Sequence, residues 1–202
     1  TEVHGFEKQG GTLTALKTSQ GVLEVRETVL CGGVWTTELA RELDLRLPMQ
    51  AGKGYSLTLE KPAQLPALCS ICTEARLAVT PMQGALRVGG TMELSGMDES
   101  ISRQRVRGIT RAFTRYFPAF QESDFAEIHP WSGLRPVSPD GMPYLGRSAR
   151  WKNLTIATGH AMMGLSLAPA TGLIAANIIT GAPSPGSLEL MSPDRFHKPH
   201  RP

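Results

Sequence analysis

The sequence predicts an α+β chain: a mainly antiparallel sheet with a covering helix, flanked on both sides by strand–turn–helix segments. Three observations carry this. Strand patterns separated by proline and glycine turns fill residues 52–94, and an amphipathic helix pattern follows over 101–117. Two apolar runs, at 29–31 and 154–157, stop on glycines immediately before helical spacing begins.

Composition bounds the function classes. With 202 residues, 41% hydrophobic and 19% charged, the chain can bury a core and has an ordinary globular composition. Its mild formal charge of +3 argues for neither a nucleic-acid binder nor a membrane-surface protein, and it would not repel a carboxylate substrate. No apolar run is expected to approach the roughly 20 residues that cross a bilayer. The first residues, TEVHGFEKQGGTLTAL, show no signal layout, lack an initiator Met and start inside strand-like sequence, so a trimmed piece of a longer chain is expected. Three cysteines make an odd count, which favours a reducing compartment. Cys69 and Cys72 form a CxxC without a second pair, ahead of a strand, and are read as structural.

In chain order, residues 11–17 and 21–26 read as a hairpin about Thr18-Ser19-Gln20-Gly21, with Leu13, Ala15, Val22, Leu23 and Val25 as apolar positions. Val29-Leu30-Cys31 is a strand ending on Gly32-Gly33, and Val34, Leu39, Leu43 and Leu45 place a helix from near Trp35. The glycines fit either close approach of backbone to a ligand or a plain junction. Pro48, Pro62 and Pro66 then punctuate strands at 52–60, 71–81 and 84–94, the last two joined by a tight turn at Met82-Gln83-Gly84. In the helix, Ile101, Val106, Ile109, Phe113 and Phe117 form the apolar stripe. Arg103, Arg107, Arg111 and Arg115 lie opposite, as a solvated face rather than a nucleic-acid surface, and Pro118 stops the helix. Phe125, Glu127 and His129 alternate as a strand that ends at Trp131-Ser132-Gly133. From residue 182 the proline-rich tail reads as loosely held, and His197 and His200 are too isolated for a metal site.

Two stretches carry chemistry. Arg135 sits between Leu134 and Pro136 in a segment braked by Pro136, Pro139 and Pro143. A guanidinium fixed in this way suits a carboxylate, because its fork makes two parallel charge-assisted bonds. Pairing with a structural aspartate such as Asp140 is the competing reading. Residues 153–181 read as strand, glycine-bearing turn and helix, with Thr158-Gly159-His160 and Gly164 at the breaks and Gly181 as the stop. Free N–H groups and a positive helix end there suit an electron-rich ligand atom. A buried strand–helix packing unit explains the same pattern, which is neither a P-loop nor GxGxxG.

VLCGGVW, SGLRPVSPDGMPYLG and NLTIATGHAMMGLSLAPATGLIAANIITG, in that order, closely resemble the C-terminal half of FAD-dependent D-amino-acid dehydrogenases. These belong to the D-amino-acid oxidase, glycine oxidase and sarcosine oxidase superfamily; KGYSLTL and LRVGGTMELSG resemble the dehydrogenase branch. The resemblance implies partial FAD-binding, Rossmann-like segments at 1–46 and 136–183, a substrate domain at 47–135 and a tail at 184–202. The N-terminal GxGxxG unit of that family is not found in these residues. One half of an enzyme is therefore expected, with the N-terminal FAD-binding half as its missing partner and poor FAD binding by itself.

The resemblance also implies roles. Gly32, Gly33 and Trp35 would face the FAD phosphate and ribose region. Gly159, His160, Met162, Met163 and Gly164 would approach the isoalloxazine ring, with the helix from Leu165 aimed at the flavin N1–C2=O side. Arg135 would hold the substrate α-carboxylate, Tyr55 would add a hydroxyl, and Arg76 is a weaker candidate. The implied reaction is oxidative deamination of D-amino acids, as small-molecule substrates, by hydride transfer from the α-carbon to flavin N5, giving a 2-oxo acid and ammonia. A quinone or another acceptor would take the electrons. A cytoplasmic location is implied, with peripheral association to the inner membrane left open. The alternatives are a relative acting on an N-methyl amino acid, a proline-like imino acid or a 2-hydroxy acid, or a non-catalytic module of a larger oxidoreductase.

Overall fold

The computed structural model describes residues 1–197. The chain begins with strands β1 (Val3–Gln9), β2 (Thr12–Thr18), β3 (Gly21–Glu24) and β4 (Thr28–Leu30), a 3-10 turn (Gly33–Trp35) and helix α1 (Thr36–Glu42). Strands β5 (Gln50–Leu59), β6 (Ser70–Cys72), β7 (Leu77–Met82) and β8 (Ala85–Leu94) lead into α2 (Arg103–Tyr116). After a 3-10 turn (Glu122–Phe125) come β9 (Trp131–Val137), β10 (Tyr144–Arg147), β11 (Leu154–Thr158), a 3-10 turn (Ala161–Met163), α3 (Gly164–Thr180) and a last 3-10 turn (Glu189–Met191). They divide into one unit of Thr1–Gln50 with the chain from Arg135 onward, and a second of Ala51–Leu134.

The first unit holds two three-stranded sheets. In one, β1, β2 and β3 pair antiparallel in sequence order, and the expected hairpin closes with Thr18 opposite Gly21. In the other, ordered β10-β11-β4, β10 and β11 run antiparallel while β11 and β4 run parallel. Alternation in β2 buries Leu13 and Ala15, and Leu13 joins Leu30, Leu43, Tyr144, Trp151, Leu154 and Ile156 in one core. Three of the larger buried polar side chains in this unit are paired, as burial favours, while the Thr28, Thr36 and Thr155 hydroxyls are buried without a partner among the described residues. The Trp151 indole donates to the Leu43 carbonyl at 2.9 Å, and the Tyr144 hydroxyl donates to the Pro48 carbonyl at 2.7 Å. The buried Asn153 side chain accepts from the Leu13 N–H and donates to the Leu13 and Arg26 carbonyls, at 2.9, 2.8 and 2.9 Å.

The second unit is a sheet ordered β6-β7-β8-β5-β9 with α2 packed on β7 and β8. Ser102 caps α2 by accepting from the Arg105 N–H, and the helix stops at Phe117 before Pro118. Ile109 and Phe113 are buried against Tyr55, Leu57, Leu77, Val79, Leu86 and Val88, while Arg103, Arg107, Arg111 and Arg115 stay exposed as the pattern requires. Gly90 makes the close approach possible: a Cβ there would sit 3.1 Å from both Ile109 and Leu77 side-chain carbons. Met82 pairs with Ala85 across Gln83-Gly84, the expected tight hairpin.

Four expectations are corrected. Residues 71–81 are not one strand: the Arg76 N–H donates to the Thr73 carbonyl at 3.2 Å, and the chain reverses between β6 and β7. Polar Thr73 and Glu74 offer no apolar alternation to extend a ladder, and their side chains bond each other instead, at 3.1 Å. Residues 125–129 form no strand either. Gln121 and Asp124 cap a 3-10 turn that drops Phe125 against Phe113, ring centroids 5.6 Å apart, and pairing starts only at Trp131. The described part of the tail is fastened: Arg195 donates to Asp140 at 2.8 and 3.0 Å and lies 4.0 Å from the Tyr144 ring centroid. Lastly, Ala161–Thr180 forms 20 helical residues with mean hydropathy 1.6, long and apolar enough by composition to cross a membrane. Small residues and Pro169 interrupt that run without adding charge.

Cys69 and Cys72 are free, with Cys72 ending β6 and Cys69 exposed just before it. Three residues of extended chain separate them by ~10 Å, too far for a disulfide. Among the described residues no group of His, Cys, Asp and Glu could hold a metal ion; His200 lies outside them.

Candidate functional site

Three segments of the first unit converge. Because β4 and β11 run parallel, the turns after them emerge at the same end of the sheet. Gly32 and Gly33 follow β4, Gly159 and His160 follow β11, and the Thr158 hydroxyl ties the two turns by donating to the Gly33 carbonyl at 3.1 Å. The carboxyl end of parallel strands is where open α/β sheets take ligands. The third segment is β9, whose last residue, Val137, forms an antiparallel bridge with His160. Arg135, two residues earlier on the same strand face, is thereby brought to the Gly159–Gly164 turn.

Backbone conformation shows why this turn uses glycine. Gly159 has φ 81, and a Cβ there would sit 3.0 Å from Tyr144 Cδ2. Ala161 also adopts positive φ, 47, a conformation costly for a residue with a Cβ and concentrated at functional turns. The first turn of α3 contains no acidic residue and no side-chain cap, so its N–H groups remain available. Trp35, Met162, Met163 and Leu165 are exposed around these turns. His160 Nε2 lies 3.0 Å from the Thr171 hydroxyl, and burial lowers its pKa, so the ring is neutral at pH 7.

Arg135 is half-buried, and its Nη1 is wholly buried without a hydrogen-bond partner among the described residues. The competing reading from the sequence, pairing with Asp140, is not what the described residues show: Asp140 pairs with Arg195 instead. A desolvated guanidinium N–H with no acceptor is costly, and since Arg135 as a whole is only half-buried, a carboxylate could meet the accessible part of its fork and offset that cost.

Tyr55 and Arg76 belong to the second unit. Tyr55 is fully buried on the sheet face that α2 covers; its hydroxyl donates to Glu93 at 2.7 Å, and burial foremost raises its pKa. Arg76 sits in the β6–β7 turn at φ 53 and lines a cavity of about 530 Å³ with Thr91, Glu93, Ser102 and Arg105. A buried lysine also lies here. Lys53 donates to Asp98 at 2.9 Å and to the Ser100 carbonyl at 3.0 Å, and the Asp98 bond foremost raises its pKa. Sequence reasoning passed over Lys53, although its place in the alternation Lys53, Tyr55, Leu57, Leu59 puts it on the buried face. The Thr158 bond to Gly33, the Val137 bridge to His160 and the Arg195 bonds to Asp140 leave no signal in the sequence either, since long-range pairing has no local pattern.

The residues at the convergent turns fit a flavin nucleotide: an uncapped helix start, two backbone turns held together, and an orphaned guanidinium beside them. Parallel strands delivering glycine turns to one edge, in a chain that also carries an antiparallel sheet under a helix, fit the class of flavoprotein oxidoreductases. Residues 1–178 match the family of FAD dependent oxidoreductases (DAO), and the chain belongs to it. It is 35% identical over 189 residues to a D-amino acid dehydrogenase of Paramagnetospirillum magneticum, covering 93% of this chain and 44% of that protein. Against a glycine oxidase of Pseudomonas putida it is 32% identical over 183 residues, covering 90% of this chain and 49% of the relative. A glycine oxidase from Geobacillus kaustophilus has the same fold, with a TM-score of 0.85 at 24% identity over 98% of this chain and 52% of that structure. The chain spans less than half the length of the curated relatives it matches.

Proposed function

We propose that this chain supplies the substrate-binding and flavin-side part of an FAD-dependent dehydrogenase that deaminates D-amino acids. The observation that carries this reading is the buried, unpartnered Arg135 Nη1 on the strand that bridges to His160. The 35% identity to a D-amino acid dehydrogenase supports the substrate class.

In this reading Arg135 takes the α-carboxylate bidentately and fixes the substrate in one orientation. Gly32, Gly33 and Trp35 hold one end of FAD, while Gly159, His160, Met162, Met163, Gly164 and Leu165 line its ring. The α3 N-terminus offers partial positive charge where negative charge accumulates on reduction. Neutral His160, held by Thr171, adds no competing cation. FAD, when bound, supplies the two-electron acceptor for the α-hydrogen, and water converts the resulting imino acid to 2-oxo acid and ammonia. Tyr55 and Arg76 receive less support as substrate ligands, because Glu93 already holds the Tyr55 hydroxyl and Arg76 faces the cavity beside α2.

The test is anaerobic reduction of the flavin-loaded protein, in its full reading frame, by D-amino acids. D-alanine and related substrates should bleach the flavin band, and Arg135→Met should raise the half-saturating concentration at least about 100-fold, as for loss of a desolvated charge partner. Bleaching by sarcosine, proline or a 2-hydroxy acid but not by any D-amino acid would reassign the substrate. Unchanged affinity in Arg135→Met would remove the clamp.

A further inference from the structure

One buried charge in the second unit lies outside the chemistry above. Lys53 shares the α2-covered face of β5 with Tyr55, Leu57 and Leu59, and its side chain is only 2% exposed. The ammonium donates to Asp98 Oδ2 at 2.9 Å and to the Ser100 carbonyl at 3.0 Å, and Glu93 Oε2 stands 3.9 Å away. Asp98 also accepts from the Ser100 amide at 3.0 Å and from the Ser100 hydroxyl at 2.8 Å. These bonds, Lys53 foremost, hold the Asp98 carboxyl at about 2, so the pair is charged at neutral pH. Replacing a buried ion pair by packed apolar side chains is often neutral or stabilising. Stability alone therefore does not explain the lysine.

What the lysine holds is a loop. Residues 95–102 run from the end of β8 to the Ser102 cap of α2, and Lys53 fastens them at Asp98 and Ser100. Between those two anchors the Glu99 carbonyl accepts the Ser132 hydroxyl at 2.9 Å, across 33 positions. Ser132 belongs to β9, which ends the sheet order with β5 as its strand neighbour. Three apart on an extended strand, Ser132 and Arg135 point to opposite faces. The loop thus bears on one face of β9, and the guanidinium leaves from the other. We propose that Lys53 is a positioning residue: by fixing the loop against Ser132 it sets where β9, and with it Arg135, stands. The inference rests on the clamp reading of Arg135 and deepens it. A fork that must meet a carboxylate with two parallel bonds tolerates little displacement, and a shift of about 1 Å can cost up to about 100-fold.

The experiment is a double-substitution cycle on the flavin-loaded protein in its full reading frame, read by bleaching of the flavin band with D-alanine. Lys53→Met, close in length but uncharged, should raise the half-saturating concentration about 10-fold. In an Arg135→Met background the same substitution should change it less than about 2-fold, because the group being positioned is gone. An equal effect in both backgrounds is what a purely structural role gives, and it overturns the proposal; so does no effect in the wild type. Ser132→Ala leaves the Lys53–Asp98 pair intact and cuts the loop from β9, so it also serves where Lys53→Met does not fold. It should raise the half-saturating concentration about 3-fold, as for one lost hydrogen bond, and wild-type affinity there overturns the route through the loop. Hydrogen exchange of the β9 amides reads the same link without substrate. Lys53→Met should speed it at least about 10-fold, and unchanged exchange overturns the proposal. Failure of the clamp reading shows differently, as unchanged affinity in Arg135→Met while Lys53→Met still speeds β9 exchange.

Discussion

Replacing Arg195 with alanine should destabilise the first unit by about 2 kcal/mol at neutral pH, and the loss should shrink in acid. Arg195 makes two bonds to Asp140 and further bonds to the Met142, Pro143 and Ser192 carbonyls. Those bonds, Arg195 foremost, hold the Asp140 carboxyl at about 2, against an ordinary 3.8. That gap corresponds to about 2.5 kcal/mol, but the Asp140 side chain is 36% exposed and solvent screening leaves about 1 kcal/mol. Lost stacking on Tyr144, with Arg195 at 4.0 Å, adds about 0.5–1 kcal/mol. The folded-state pKa lies below the unfolded one, so the ion-pair share is complete above the ordinary carboxylate value and drains as pH falls from about 4 towards about 2. Urea unfolding at pH 7, 5 and 3 should show the gap between wild type and Arg195→Ala holding from 7 to 5 and narrowing at 3. Asp140→Asn should reproduce the pH-dependent part alone. A gap that stays constant or widens down to pH 3 would refute the clasp.

Two further substitutions probe the scaffold of the site. Asn153→Ala removes three bonds that fasten β2 and the Arg26 turn to the start of β11, and should cost about 3 kcal/mol, because the Leu13 amide and carbonyl are left unpaired in the core; urea unfolding reads the value, and a cost under about 1 kcal/mol would contradict it. Gly159→Ala imposes φ 81 on a residue with a Cβ and sets that carbon 3.0 Å from Tyr144. It should cost about 1–3 kcal/mol, and retention of wild-type stability would show that the turn relaxes freely.

What could be read in advance was local. The hairpin at Thr18–Gly21, the α2 stripe from Val106 to Phe117 and the glycine stops after β4 and β11 follow from alternation, helical spacing and turn chemistry within a few residues. The misreadings arose where a local signal competed with a partner distant in sequence. Phe125 and His129 alternate like a strand, but the aromatic cluster around Phe113 claims Phe125 first. The tail is as rich in proline as a disordered linker, yet Arg195 meets Asp140 across 55 positions. Lys53 carries the charge of a surface residue, and only Asp98 and Ser100, some 45 residues on, explain how it is buried.

The site itself shows how far an ordered set of weak motifs can be trusted. Gly32-Gly33, Arg135 and Gly159–Gly164 each admit a plain structural explanation, and each is separated from the next by more than 20 residues. The Thr158–Gly33 bond removes that independence for the two turns, and the Val137–His160 bridge removes it for the arginine strand. A packing explanation would then have to account for an arginine brought to this point with Nη1 buried and unbonded, while the aspartate that could have neutralised it is held by Arg195. Stability alone does not favour that arrangement, since a hydrophobic residue at position 135 would avoid the desolvation cost. A carboxylate that arrives and leaves does favour it, and that makes the orphaned guanidinium stronger evidence for function than any of the three motifs that frame it.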